Sequence, residues 1–569
     1  MAIFAGDLTA RHVAWAACVL VATLLAQYIR QGYRNRCLFR DLKKQGIPIM
    51  KHSMWFGHLE TIGKLVQDIP SDAHGNYMPN QILKNWQTLF PDCKQRPPVA
   101  YLDLWPFSPP MIVPLLLPVA VQFTQEKSLM KPPEQKNVMR PLTRNLDLSS
   151  MEGAEWKVWR KRFNPGFSEK TLTARTPELL EDAENYAARL QARAGPDGSW
   201  GPVFALEPET TALAMDIIFR FFFGARINKM LTNKKQQLET AVKDTITRMR
   251  FTPHLGNFLG FYNPWRYIKT WTNYRTMVNG LAPVMLQRMN ELDQTKKSAN
   301  STLVDACIEG FREDRRNGEP NTSDRDFIGM AVGQIGVFIF AGHDTTASSL
   351  CWVMLMLSQH PEALARMRAE HDAVLGPDPT KAASLLKDNP QLINSLTYTN
   401  ALIKEVNRIH ANLGTMRGGA PGYYLNGPAG SGYEGMRFPT EAFLVWDNIY
   451  LLQRDEDLWE RPLEFIPERW LVIDENDPLH PPRNGYRFFE LGPRNCIGQN
   501  LAISEIKMAI VLVARTLDWE CAWDEWDKKM NTKGKKPTLW GERCYQVGTD
   551  SPPHVKDGMP IHVKLRKLD

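Results

Sequence analysis

No two of the eight cysteines (Cys18, Cys37, Cys93, Cys307, Cys351, Cys496, Cys521, Cys544) form a CxxC pair or repeat a spacing. Their scatter argues against a disulfide framework and a zinc knuckle, and a reducing compartment is the simplest setting. No block of clustered lysine and arginine interleaved with exposed aromatics stands out along the body of the chain either, so its net charge of +7 argues only weakly for nucleic acid. A membrane surface or an acidic protein partner suits that balance better. No phosphate loop is evident, nor a dinucleotide fingerprint in the strand-to-helix setting that defines one, and no repeat, low-complexity tract or interdomain linker divides the chain.

What is present begins near the N-terminus. Residues 13–29 read VAWAACVLVATLLAQYI, 17 residues without a charge, followed by Arg30, Arg34, Arg36, Arg40, Lys43 and Lys44. An apolar run with its cations behind it fits a retained signal-anchor that leaves the body of the chain in the cytosol. A cleaved signal peptide and a helix lying on the membrane surface are the alternatives. The expected organisation is a lumenal 1–12, a transmembrane helix over 13–29, a basic cytosolic linker over 30–44 and one catalytic domain over 45–569. A hinge is expected at Gly46-Ile47-Pro48. With 43% hydrophobic residues, such a domain has ample material for a core.

Helical patterns dominate: Thr210 to Gly224, Met330 to Gln359, Pro361 to Gly376 and Leu501 to Leu517. Strand-like pieces are short: PPVAYLDLW, AFLVW near Val445, and PIHVKLR. The expected fold class is mainly α with a minor β-sheet region. The stretch 418–435, GGAPGYYLNGPAGSGYEG, is too rich in glycine for a regular element and is expected to be a flexible excursion.

One cysteine stands apart. In FFELGPRNCIGQNLA, Cys496 lies between Gly492 and Gly498, with Pro493 and Arg494 before it and a helical run after it. A helix start offers N–H groups and a positive dipole end to hold a thiolate. Glycines permit unusual dihedrals and close approach of a flat ligand, and Arg494 offers charge to an anion. Such a thiolate is a nucleophile or a metal ligand; no local histidine base supports the first, and a haem iron with its propionates suits the second.

Phe489-x-x-Gly492-x-Arg494-x-Cys496-x-Gly498 resembles the haem-binding loop of the cytochrome P-450 superfamily at all five signature positions. Further motifs follow in that family's order: Ala341-Gly342-His343-Asp344-Thr345-Thr346, Glu405-x-x-Arg408, Trp459-x-x-Pro462-x-x-Phe465-x-Pro467-Glu468-Arg469-Trp470, Trp156 with Arg160, and Asp216…Phe223-Gly224. The resemblance implies a cytochrome P-450 fold over the whole chain and haem b with Cys496 as its axial iron ligand. It implies that Thr345 hydrogen-bonds the dioxygen and that Asp344 relays protons for its cleavage. Trp156, Arg160 and Arg494 would reach the haem propionates, Arg417 being another candidate, while Phe489 and Gly498 belong to the cofactor loop. Glu405, Arg408 and Arg469 would form a buried structural network. His343 is left to local packing.

From the residues alone, plain packing remains an alternative for each motif outside the cysteine loop. Gly342 costs a helix interior ~1 kcal/mol, and one answer is a local opening of the hydrogen-bond ladder. Two positions depart from the family: Ala411 stands where proline is usual, and Gln453 where histidine is often found.

The activity implied is that of a microsomal, fungal-type monooxygenase at the endoplasmic reticulum, single-pass, with its catalytic domain facing the cytosol. NADPH electrons would come through NADPH-cytochrome P-450 reductase, with cytochrome b5 as a further partner. The expected substrate is a lipophilic secondary metabolite; a fatty acid or sterol is the alternative. A reductase-independent isomerase or dehydratase and a non-catalytic haem-binding protein are alternatives of another class. Expected pocket walls are the loop before Trp156, the face around Phe338 and Ala341, the stretch after Arg408, and the turn near Val547. Leu255, Phe258, Leu259, Phe261, Tyr262 and Trp265 are expected to meet membrane lipid or to join two helices.

Overall fold

The computed structural model describes residues 2–249, 258–294, 302–318, 323–532, 534, 536–548 and 552–567. Its centre is a 36-residue helix, Asp324–Gln359. Ser323 caps it by accepting the Asp326 N–H at 3.1 Å, and Asp324 and Asp326 place negative charge at the positive end of the dipole. Phe327, Val332, Ile335, Phe338, Leu350, Trp352 and Leu357 are all buried, so the helix is apolar around its circumference because it runs through the core. Among the described residues it is the helix long and apolar enough to cross a bilayer, yet 67% of its apolar window lies inside the protein.

Helices Pro133–Thr143, Glu207–Ile246, Pro264–Gln294, Thr397–Ile409 and Gln499–Thr516 pack around it. Gly224, at φ 68°, interrupts Glu207–Ile246 where the sequence places the end of a helix. Gly342 has a packing reason that the sequence does not show. A Cβ there would stand 2.8 Å from Cδ1 of Ile218, so glycine admits the neighbouring helix.

A four-stranded sheet forms a second layer, in the order Val99–Leu102, Met111–Pro114, Leu444–Asp447, Thr415–Gly418. The outer pairs are antiparallel, with Val99 opposite Pro114 and Thr415 opposite Asp447; the central pair is parallel, with Met111 opposite Leu444. Three of these strands are buried along their whole length, which is why they read as continuous apolar runs. Near the C-terminus, Pro560–Leu565 pairs with Leu517–Cys521 and Phe204–Ala205.

Three expectations change. The stretch 30–44 is not a linker: it continues the helix Ala2–Lys44 into the body. Arg36 pairs with Asp103 and donates to the Trp105 carbonyl at 2.9 Å, while Phe39 and Leu42 are buried. The i, i+3 apolar pair was hidden among basic neighbours. Gly46, at φ +80°, closes the helix, and the Ile47 N–H bonds the Leu42 carbonyl at 3.2 Å, so the expected hinge is a glycine-capped turn. The glycine-rich excursion holds a hairpin, Tyr424–Asn426 against Arg437–Pro439, anchored by Leu425 and Phe438, both 0% exposed. Its glycines serve the connecting turn, where Gly430, Gly432 and Gly435 have positive φ.

Candidate functional site

A cavity of about 790 Å³ lies between the central helix and the Cys496 loop. Phe338, Ala341, Gly342 and Thr345 line one side; Phe489, Arg494, Cys496 and Gly498 line the other. Cys496 is the cysteine that faces this cavity, and its exposure is to that space. The loop is held by the Cys496 N–H donating to the Phe489 carbonyl at 2.7 Å and the Asn495 N–H to that of Gly492 at 3.1 Å. Gly492 is required: at φ +88°, a Cβ would stand 2.3 Å from the Thr124 carbonyl oxygen. Gly498 adopts an ordinary φ of −86°, and a Cβ there would lie 4.0 Å from the Cys496 sulfur, so it needs no special dihedral.

Burial pushes the Cys496 thiol up, against the N–H groups of Gly498 and Gln499 and the Arg160 charge, which pull it down. A bound metal cation beside the sulfur would add to the pull of those N–H groups and of Arg160 toward the thiolate.

Cations gather at one end of the cavity. Arg494 pairs with Glu152, donates to the Met151 carbonyl at 2.8 Å and lies 4.2 Å over the Trp156 ring. Arg160 donates to the backbone and side-chain oxygens of Asn495, each at 2.8 Å, tying its helix to the cysteine loop. Arg417 is buried, paired with Glu490, and is not a cavity wall. Lys131 takes that place on the wall, donating to Thr415 Oγ1 at 2.6 Å with Glu490 at 3.9 Å. Burial lowers its ammonium to about 8. Lys131, Arg160, Arg417 and Arg494 thus face two carboxylates, Glu152 and Glu490, and two positive charges are left over. That excess matches the two carboxylates of haem, and the soft sulfur opposite matches its iron, so the residues present fit the group.

Lys131, Glu152 and Glu490 carried no sequence signal, because only the fold brings them to Arg494. Lys131→Leu is expected to speed haem loss roughly tenfold, as a charged hydrogen bond at a buried site contributes ~1.5–3 kcal/mol. Haem transfer to an acceptor globin measures it, and an unchanged rate removes Lys131 from the site.

The structure divides the two central-helix residues. Thr345 lines the cavity, its hydroxyl donating to the Ala341 carbonyl at 2.8 Å; Asp344 is not a wall residue and lies 3.7 Å from His554. His343 is buried with Nδ1 2.7 Å from the Ile339 carbonyl. Leu148 and Ser149 before Trp156, and Asn412 and Leu413 after Arg408, line the cavity; near Val547 the wall residue is Pro552. Phe107, Met111, Val337 and Ile218 complete it without a sequence signal.

Away from the cavity, Glu405 accepts from Arg408 at 2.8 and 2.9 Å, from Arg469 Nε at 3.0 Å and from Trp470 Nε1 at 2.9 Å. Arg408 also donates to the carbonyls of Gln453 and Pro462. Gln453 donates to the Arg408 carbonyl at 3.1 Å and accepts the Arg487 N–H at 2.7 Å, connecting this network to the chain that leads into the cysteine loop. The Ala411 carbonyl accepts from Gln546 at 2.9 Å.

A lone cysteine facing a cationic cavity beneath a long threonine-bearing helix defines a haem-thiolate enzyme. Residues 118–540 match the cytochrome P450 family, and the chain belongs to it. It is 34% identical to the cytochrome P450 monooxygenase polC of Polytolypa hystricis, over 97% of this chain and 95% of that protein. It is 29% identical to the monooxygenase acrF of Aspergillus aculeatus, over 82% and 94%. Against ptmG of Penicillium ochrochloron it is 22% identical over 96% and 95%. The chain is a cytochrome P450 monooxygenase that uses haem with a cysteine thiolate ligand.

Proposed function

We propose that Cys496 supplies that thiolate and that the enzyme inserts one oxygen atom of dioxygen into a lipophilic secondary metabolite. NADPH electrons arrive through a flavoprotein cytochrome P450 reductase, with cytochrome b5 as a second donor. The observation that carries this reading is that Cys496 and Thr345 open onto one cavity. Haem bound there supplies dioxygen activation, favoured by the electron push of the thiolate. Arg494, Arg160 and Lys131 would hold its carboxylates, and Trp156 closes that end by stacking on Arg494. Phe338, Val337 and Ala341 give the substrate an apolar wall and exclude water. Thr345 presents the hydroxyl that orients the oxygen atoms.

The membrane reading rests on exposed apolar side chains. Trp15, Val19, Leu20, Val21, Leu24, Leu25 and Ile29 are each at least half exposed along the N-terminal helix, which suits an anchor in the endoplasmic reticulum membrane with the body in the cytosol. Tyr262, Trp265, Ile268 and Trp271 form an exposed apolar set at the start of Pro264–Gln294 and suit contact with lipid. Leu255 lies outside the described residues, as do the side chains of Phe258 and Leu259.

The test is the full chain in microsomes with reductase, NADPH and a lipophilic extract. Expected are reductase-dependent NADPH consumption and a product one oxygen atom heavier than its precursor. Conversion without reductase, or to an isomer of unchanged mass, sinks the monooxygenase reading; an oxidised fatty acid or sterol replaces only its substrate class.

A further inference from the structure

Asp344 turns from the cavity toward a strand at the other end of the sequence. Its Oδ2 lies 3.7 Å from Nε2 of His554, and Nδ1 of His554 lies 2.9 Å from Oε1 of Glu207. The imidazole therefore sits between two carboxylates. Its place is fixed on both sides: His554 pairs with Val547 in a short antiparallel ladder, and Ser348, one turn beyond Asp344, donates to the Pro553 carbonyl at 3.1 Å. Glu207 also accepts the Val555 N–H at 3.4 Å. Side-chain exposure falls from 35% at His554 to 8% at Asp344, so the arrangement leads from solvent into the helix that carries Thr345.

We propose that His554 is the proton-loading partner of Asp344, passing the proton on Nε2 to Oδ2 of Asp344 and regaining it from solvent, with Glu207 holding the ring by Nδ1–H. The 3.7 Å gap closes by rotation of the carboxylate or through one water. Once protonated, Asp344 is the residue adjacent to Thr345 and needs only to turn about its own side chain to serve the cavity.

The charges suit this task. The hydrogen bond to Glu207 raises His554 to about 9, against desolvation and with help from Asp344, so the ring is an imidazolium at neutral pH. Burial raises the Asp344 carboxyl, against His554 and His343, which favours its accepting a proton. The remaining groups facing the pair are His343, held on the Ile339 carbonyl, and Lys243, which acts on His343. Because the folded value of His554 is raised, the loaded form is complete below the ordinary histidine range and is lost as pH rises through about 9.

This inference rests on the monooxygenase reading, in which oxygen reduction consumes protons. Without substrate, dioxygen, NADPH and one proton give hydrogen peroxide and NADP⁺; dioxygen, two NADPH and two protons give two waters and two NADP⁺. Loss of proton loading disfavours the water branch.

Two measurements on the full-length haem-loaded protein test it. Histidine-labelled protein is titrated by NMR, with the His554 ring identified by its absence in His554→Gln. The ring is expected to titrate above pH 8, and at lower pH in Glu207→Gln and Asp344→Asn. With reductase and NADPH but no substrate, His554→Gln is expected to lower the water fraction at least threefold and to raise the solvent deuterium isotope effect at least twofold, at equal haem content. A ring that titrates below pH 7 and ignores both carboxylate variants overturns the proposal, as does a His554→Gln enzyme with unchanged water fraction and isotope effect. A wild-type chain that oxidises no NADPH with reductase instead overturns the electron-supply reading, and the NMR titration then decides the role of His554 by itself.

Discussion

Cys496→Ser is expected to abolish the strongly red-shifted Soret band of the reduced, carbon monoxide-treated protein, while Cys351→Ser leaves it in place. Serine fills nearly the same volume, so the loop held by the Cys496 and Asn495 N–H groups stays formed. What disappears is the sulfur: a hydroxyl facing the cavity near Arg160 does not deprotonate as a thiol does, and it withdraws the electron donation that shifts the band. Cys351 is buried on the central helix beside Thr210 and is not a wall of the cavity. Absorption spectra of both variants against wild type decide the matter. A band that survives in Cys496→Ser and vanishes in Cys351→Ser would relocate the ligand.

The second large effect belongs to Glu405. Its side chain is 0% exposed and accepts from Arg408, Arg469 and Trp470, with Arg408 at 0% and Arg469 at 1%. Glu405→Ala leaves two guanidiniums buried without their anion, and breaking a buried pair in this way costs about 3–5 kcal/mol. Against a typical total stability of roughly 5–15 kcal/mol, that is enough to deplete the folded enzyme. Glu405→Gln is expected to fare little better, because an amide restores acceptors but not charge. The exposed pair Arg461–Glu464 serves as the control; its loss is expected to leave the midpoint nearly unchanged, because solvent screens it. Urea midpoints followed by tryptophan fluorescence separate the two, and a Glu405→Ala midpoint equal to that of Glu464→Ala refutes the structural role.

Much of the site was legible because its chemistry is packed into short segments. The loop from Phe489 to Gly498 needs a glycine at 492, where any Cβ would strike the Thr124 carbonyl, and a cysteine four residues later, so its spacing is dictated locally. The pairing of Glu405 with Arg408 is likewise an i, i+3 matter. What was not legible is contributed by distant segments. Lys131, Glu490 and Arg417 meet across some 360 residues, and nothing near any of them announces the others. His554 is a similar case: as a residue in PPHV it is unremarkable, and only the strand pairing with Gln546–Val547 delivers it to Asp344. The stretch 418–435 was misread because composition cannot weigh two fully buried anchors, Leu425 and Phe438, against many glycines. The packing reason for Gly342 was not legible because the side chain it makes room for, Ile218, belongs to another helix.

The unbroken N-terminal helix has a mechanical consequence. With the apolar run 13–29 in a bilayer, the ten residues after Ile29, up to Phe39, span ~15 Å at 1.5 Å per residue, and Arg36, Phe39 and Leu42 are already part of the body. The connection is then a spar rather than a leash. In the proposed anchored state it would set the height and tilt of the body above the lipid, so the faces turned toward and away from the membrane would be chosen by the helix's geometry instead of by tumbling.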